Sequence, residues 1–214
     1  IAKGGDRSHA IWVKGHHNTI RRNTAYGVIS QGYSGILIEN SGYNVAERNL
    51  VRDNQNGVSV FDSGADYNTI VNNIIYNNTF RGIWVYRYAD YNTVVNNTLY
   101  NNSKEIHLGH GGGNNDAGGG NVFWNNILYA SSGCTGIAVD TYGDPGTLPA
   151  GTVFNYNNIY APAGTVGYVD NNTYTALASW QSATLQDASS ISADPLFVSA
   201  TTVNLDVKSK AAGY

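Results

Sequence analysis

Trp84, Tyr86 and Arg87 stand almost together in this sequence, His107 and His110 follow one repeat length later, and Asp62 precedes them by another. These residue types suit work on a carbohydrate. The rings of Trp84 and Tyr86 can pack on the apolar faces of a sugar while neighbouring polar side chains, Asp62 among them, bond its hydroxyls. Arg87 can hold a carboxylate through two parallel hydrogen bonds, and His107 or His110 can move a proton near neutral pH. Together they would serve β-elimination from a uronic acid, in which a base removes the proton beside the carboxylate and a cation stabilises the enolate-like charge. Hydrolysis would need two opposed carboxylates. The candidates, Asp62 and Asp140, lie three repeats apart, ~14 Å if each repeat rises by one strand spacing. The competing reading is a solvated face on which Asp62 and Arg87 form a surface ion pair of little energetic weight.

What would position these residues is a repeat. His17-Asn18-Thr19-Ile20, Tyr43-Asn44-Val45-Ala46, Tyr67-Asn68-Thr69-Ile70, Tyr91-Asn92-Thr93-Val94, Gly120-Asn121-Val122-Phe123 and Gly151-Thr152-Val153-Phe154 share one frame. Five residues after each first Asn or Thr comes another Asn, at 23, 49, 73, 97, 126 and 157. Short alternating segments such as Gly35-Ile36-Leu37-Ile38 and Gly82-Ile83-Trp84-Val85, bounded by Gly, Asn and Asp, read as strands between tight turns. A unit of 24 residues suits one turn of a coil of three short strands, so the fold class is all-β, a parallel solenoid. Stacked turns make each aligned column a ladder: Asn side chains that bond up and down, with Asn also taking the left-handed corner, and a second column Tyr26, Arg52, Tyr76, Tyr100, Tyr129, Tyr160. The outward column of the longest strand reads Ile11, Leu37, Ser59, Trp84, His107, Ala138. The residues just after it, Lys14, Glu39, Asn40, Asp62, Tyr86, Arg87, His110 and Asp140, hold much of the chain's charge.

Composition narrows the function classes. With 12 Lys+Arg against 15 Asp+Glu, the net charge of −3 lacks the basic excess that a phosphate backbone demands, so no nucleic-acid partner is expected. The lone Cys134 allows no disulfide within the chain and no Cys-rich zinc site, and the histidines show no metal-ligand spacing. Asn114 and Asp116, in the Gly-rich stretch Gly111–Gly120, offer calcium oxygen donors, but one carboxylate makes no firm motif. That stretch reads as an insertion at a coil corner beside the Trp84 face. In the N-terminal group Arg7, His9, His16, His17, Arg21 and Arg22, Arg21 lies a repeat from Glu47 and is expected to bridge it. The sequons at Asn77, Asn96, Asn101 and Asn171 follow from the Asn-rich repeat. No apolar run approaches the ~20 residues of a membrane span. The start at Ile1 and the absence of Met suggest a processed segment, and a secreted or cell-surface location is expected.

After the coils, Leu177-Ala178-Ser179-Trp180-Gln181 reads as a short helix with Thr175 as its N-cap and Leu177, Trp180 and Thr184 along one side. Asp187-Ala188-Ser189-Ser190-Ile191 and Asp194-Pro195-Leu196-Phe197-Val198 follow. With the coil repeats of residues 17–160, this tail resembles the secreted right-handed parallel β-helix proteins of bacteria, the pectate-lyase-like superfamily among them; Lys208-Ser209-Lys210-Ala211-Ala212 departs from their usual ending. The resemblance implies six to seven right-handed coils over residues 1–170 and a helical cap with closing strand over 171–214, within one domain. It implies an extracellular, carbohydrate-active protein, lyase-like or binding acidic glycans, and the outward positions of Trp84 and His107 place its polysaccharide ligand on the Trp84 face. The alternative is a non-enzymatic structural or adhesive solenoid. Since no cap is visible before Ile11, such a solenoid would assemble end to end through its N-terminal coil.

Overall fold

The computed structural model describes residues 1–109, 118–141, 148–200 and 202–207; His110, Asn114, Asp116 and the 208–212 ending lie outside them. The chain winds as a right-handed parallel solenoid with six complete three-strand turns. The longest strands, Ser34–Glu39, Asn56–Phe61, Arg81–Tyr86, Lys104–Gly109 and Thr135–Asp140, stack in parallel between Ile11–Val13 and Thr165–Val169. Two sheets of short strands close the other sides, one of three-residue strands from Thr19–Arg21 to Val153–Asn155 and one from the two-residue Ala2–Lys3 to Asn158–Tyr160.

Each sheet contributes inward columns to one continuous core. Ile36, Val58, Ile83, Ile106 and Ile137 stack in register, as do Ala25, Val51, Ile75, Leu99, Leu128 and Ile159, all at 0% exposure. Burying a side chain of this kind contributes roughly 1.5–3 kcal/mol. The Tyr26-to-Tyr160 column is likewise in register.

The corners are held by asparagine. In the column from Asn23 to Asn157, each Oδ1 accepts both the backbone N–H and the side-chain Nδ2 of the preceding rung's Asn, as Asn73 does from Asn49 at 2.9 and 3.0 Å. Each Nδ2 donates onward to the next Oδ1, and from Asn49 to Asn157 also to a buried carbonyl. A second ladder starts at Asn18, and the sequence reading missed a third, Asn54, Asn78 and Asn102. One expectation is corrected. The left-handed residue is not the ladder Asn but its predecessor, Arg22, Arg48, Asn72, Asn96, Asn125 or Tyr156. The bend is taken by a residue whose side chain faces outward, which leaves the next Asn free to turn in and stack.

Two ladders end on buried carboxylates. Asn157 Nδ2 donates to Asp187 Oδ1 at 3.0 Å, and both amide groups of Asn102 donate to Glu105. Asp187 also accepts from Trp180 Nε1 at 2.8 Å. Trp180 sits on the helix Leu177–Thr184, is fully buried, and meets Phe154 edge-on at 6.4 Å, so its ring closes the core. A Cβ on Gly167 would lie 2.1 Å from this ring, so only glycine fits beneath it. The helix is capped at Ala176 with no side-chain bond, not at Thr175 as the sequence suggested. Arg21 and Glu47 face each other in register, but no ion pair joins them.

Candidate functional site

Outward side chains of the long-strand sheet shape a face where ionisable groups and rings converge. Their column starts at Trp12, not at Ile11: Trp12 pairs with Leu37, and Ile11 turns inward against the core. It continues through Ser59, Trp84 and His107 to Ala138 and Tyr168. The smaller Leu37 and Ser59 on the second and third rungs leave a gap beside the ring of Trp84 on the fourth. The gap is a cleft of about 190 Å³.

Ser34 and Ser59 lie at its floor with their hydroxyls 2.7 Å apart, beside Leu37. Phe61, Trp84 and Tyr86 form one wall, the Phe61 ring tilted 56° against Tyr86 at 4.5 Å. His9 and Glu39 stand opposite in character, one an imidazole and one a carboxylate. His9 Nδ1 accepts the Ser34 N–H at 3.0 Å, so the neutral ring carries its proton on Nε2. Burial holds His9 below its ordinary pKa. Glu39 Oε2 accepts Trp12 Nε1 at 2.9 Å and faces Lys14 Nζ at 3.3 Å. Trp12 itself is 54% exposed.

Next to the cleft lies a buried polar network that the sequence reading missed in part. Arg81 Nε donates to His107 Nδ1 at 2.6 Å, and Arg81 Nη1 donates to Asn56 Oδ1 at 3.2 Å. His107 Nε2 therefore carries the proton and donates it to Asp140 Oδ2 at 2.7 Å, with Lys104 Nζ 3.5 Å from the same oxygen. Burial pushes His107 down to about 3 and Arg81 down to about 10, and it lowers Lys104 as well. Burial alone would raise Asp140, but the His107 hydrogen bond and the Lys104 charge outweigh it and hold the carboxyl well below the usual range. The polar column Ser34, Asn56, Arg81, Lys104 is the signal for this network; its first three members each stand one residue before the glycine that opens the strand motif, and Lys104 stands before Glu105.

These positions correct several expectations. Trp84 is not an exposed platform: it is 5% exposed, stacked on Tyr86 at 3.8 Å, with the Arg81 guanidinium 3.7 Å from its ring and its Nε1 on the Gly109 carbonyl. Alternation sets which side of a strand faces out, but here neighbours on the outer side cover what faces out. His107 is 1% exposed, has both nitrogens engaged and stays neutral through the neutral range, so it moves no proton there. Burial pushes the Tyr86 phenol up to about 12, which removes it as a base. Arg87 meets Asp62 at 3.4 Å as a partly exposed surface pair. The structure thus brings Trp84, Tyr86 and His107 together and sets Asp62 with Arg87 at their edge. It adds His9, Trp12, Glu39, Arg81 and Lys104. Among the described residues no cluster of metal-binding side chains occurs, and no helix is long and apolar enough to cross a membrane.

The family model described as right handed beta helix region matches the chain twice, over residues 3–147 and 35–179. No curated protein and no solved structure matches it.

Proposed function

Since the chain belongs to the right-handed β-helix family, a scaffold that hosts unrelated activities, we propose from the site itself that it is an extracellular protein that binds polysaccharide rather than cleaves it. The observation that supports binding is the cleft beside Trp84, with aromatic walls, two serine hydroxyls, an imidazole and a carboxylate that Trp12 bonds from the first rung. Such a mixture matches a sugar, whose apolar faces pack on rings while its hydroxyls need donors and acceptors.

The lyase reading finds less support. It requires a base that titrates near neutrality and a cation free to meet a substrate carboxylate. Of the described candidates, His107 is held neutral with both nitrogens bonded, Arg81 is buried in the same network, and Arg87 is engaged with Asp62, while His110 lies outside the described residues.

The experiment is titration calorimetry against neutral, acidic and amino polysaccharides, with ultraviolet absorbance followed in parallel for unsaturated products. Binding without turnover, weakened in Trp12→Ala, is the expected result. Unsaturated products would restore the lyase reading. No binding across the panel would favour the structural or adhesive solenoid.

A further inference from the structure

We propose that the cleft selects a sugar carrying a protonated amino group, held as an ion pair on Glu39 Oε1. The inference rests on the carbohydrate-binding reading above and names the class of sugar. It departs from the acidic glycan that the sequence suggested.

Three observations carry it. First, among the described residues that line the cleft, Glu39 is the single formally charged side chain. A uronate placed there would set carboxylate against carboxylate in a partly desolvated site, where like charges repel more strongly than in water. Second, Glu39 is only half used. Both of its donors, Trp12 Nε1 at 2.9 Å and Lys14 Nζ at 3.3 Å, reach Oε2, and among the described residues none reaches Oε1. The Glu39 side chain is 21% exposed and Lys14 is 62% exposed, so the partner on Oε2 is a solvated lysine, and Glu39 also lines the cleft. Third, the next two rungs of the Glu39 column are the rings of Phe61 and Tyr86, which favour a nearby cation through their quadrupoles, as the Arg87 guanidinium 4.8 Å from Phe61 and 5.9 Å from Tyr86 illustrates. His9 completes the site, since with Nδ1 taken by Ser34 its Nε2–H is a donor suited to a sugar hydroxyl and not to an ammonium. The ammonium is thereby oriented toward Glu39.

The test uses the full chain and three oligosaccharides of equal length, built from glucosamine, N-acetylglucosamine and galacturonic acid. Calorimetry at neutral pH should give the glucosamine oligomer an affinity about tenfold above its acetylated form, the scale of one charge-assisted hydrogen bond, with the galacturonate oligomer weakest. Glu39→Gln retains an acceptor for Trp12 and should bring the first two affinities together. Lys14→Ala, which removes the competing cation, should strengthen glucosamine binding and leave the fold intact. A galacturonate oligomer that binds as tightly as the amine, or an amine preference that survives Glu39→Gln, overturns the assignment. If all three bind alike, the selectivity falls and the carbohydrate reading stands. If none binds, both fall.

Discussion

Replacing Asn73 by alanine tests whether the ladders are what hold the coils in place. Asn73 is 1% exposed and sits mid-ladder. Its Oδ1 accepts Asn49 N and Nδ2, and its Nδ2 donates to Ala46 O at 2.9 Å and to Asn97 Oδ1 at 3.0 Å. After truncation, Asn49 Nδ2 keeps the Ile20 carbonyl and Asn97 Oδ1 keeps the Asn73 N–H. The Asn49 N–H and the side-chain acceptance at Ala46 O are lost. Ala46 O remains in the parallel ladder with the next strand, so the Asn49 N–H is the one buried group left unsatisfied, at a cost of ~1–3 kcal/mol. Asn23→Ala is the internal control. It removes bonds at the ladder's first rung, where Asn49 Oδ1 still holds the Asn23 N–H and the other lost contact is to the exposed Arg21 carbonyl. Its cost should stay below ~1 kcal/mol. Urea unfolding followed by circular dichroism and tryptophan fluorescence measures both, and coincident transitions establish that one free energy describes each variant. Equal effects at Asn23 and Asn73, or a change below ~0.5 kcal/mol at Asn73, would refute the account of the corners.

The two tryptophans of the outward column should part company: Trp12→Ala weakens saccharide binding with an unchanged melting temperature, whereas Trp84→Ala costs about 3–5 kcal/mol of stability, as buried aromatic truncations do. Burial raises the Glu105 pKa well above its ordinary 4.5. Its contribution is therefore fully present below about pH 4.5 and is lost as the pH rises toward the folded value. The urea midpoint of Glu105→Gln should show less of this decline from acid to neutral pH. His107 has the opposite sign: its lowered value means that stability is lost as the pH falls from 6.5 toward about 3. Its imidazole resonances should stay still in NMR spectra between pH 5 and 8. Gly167→Ala, with its methyl against the Trp180 ring, should lower stability by roughly 1–3 kcal/mol, read as an early loss of tryptophan burial on heating.

The repeating part of the fold was legible because stacking turns spatial neighbours into residues at a fixed sequence offset. Asn49, Asn73 and Asn97 could be aligned by eye, and they do bond in successive rungs. The third ladder uses the same five-residue step but has only three asparagines before Glu105 replaces the fourth, so it was too short to stand out. The candidate site was less legible, for two reasons. Starting the outward column at Ile11 instead of Trp12 hid the ring that bonds Glu39, a residue of the cleft. A cleft is also made by what is small, and nothing in the types of Ser34 or Ser59 announces that their neighbours are large. The Arg81–His107–Asp140 relay depends on side-chain reach across rungs 26 and 33 residues apart, which a column of Cα positions does not convey.

The ladders are also directional. Every inter-rung amide bond among them runs from Nδ2 on an earlier rung to Oδ1 on a later one. The amide dipoles therefore add along the solenoid axis much as peptide dipoles add along a helix, with the positive pole toward the C-terminal coils. Asp187 stands at that pole in the position of an anion at a helix N-terminus, and it receives the last donor, Asn157 Nδ2. The rod is thus electrically polarised, and its two ends are not equivalent: acceptors lead at the first coil and donors at the last. A further asparagine rung inserted before Asp187 would lengthen the array under the same terminating charge, whereas a lysine in place of Asp187 would set a cation against the positive pole.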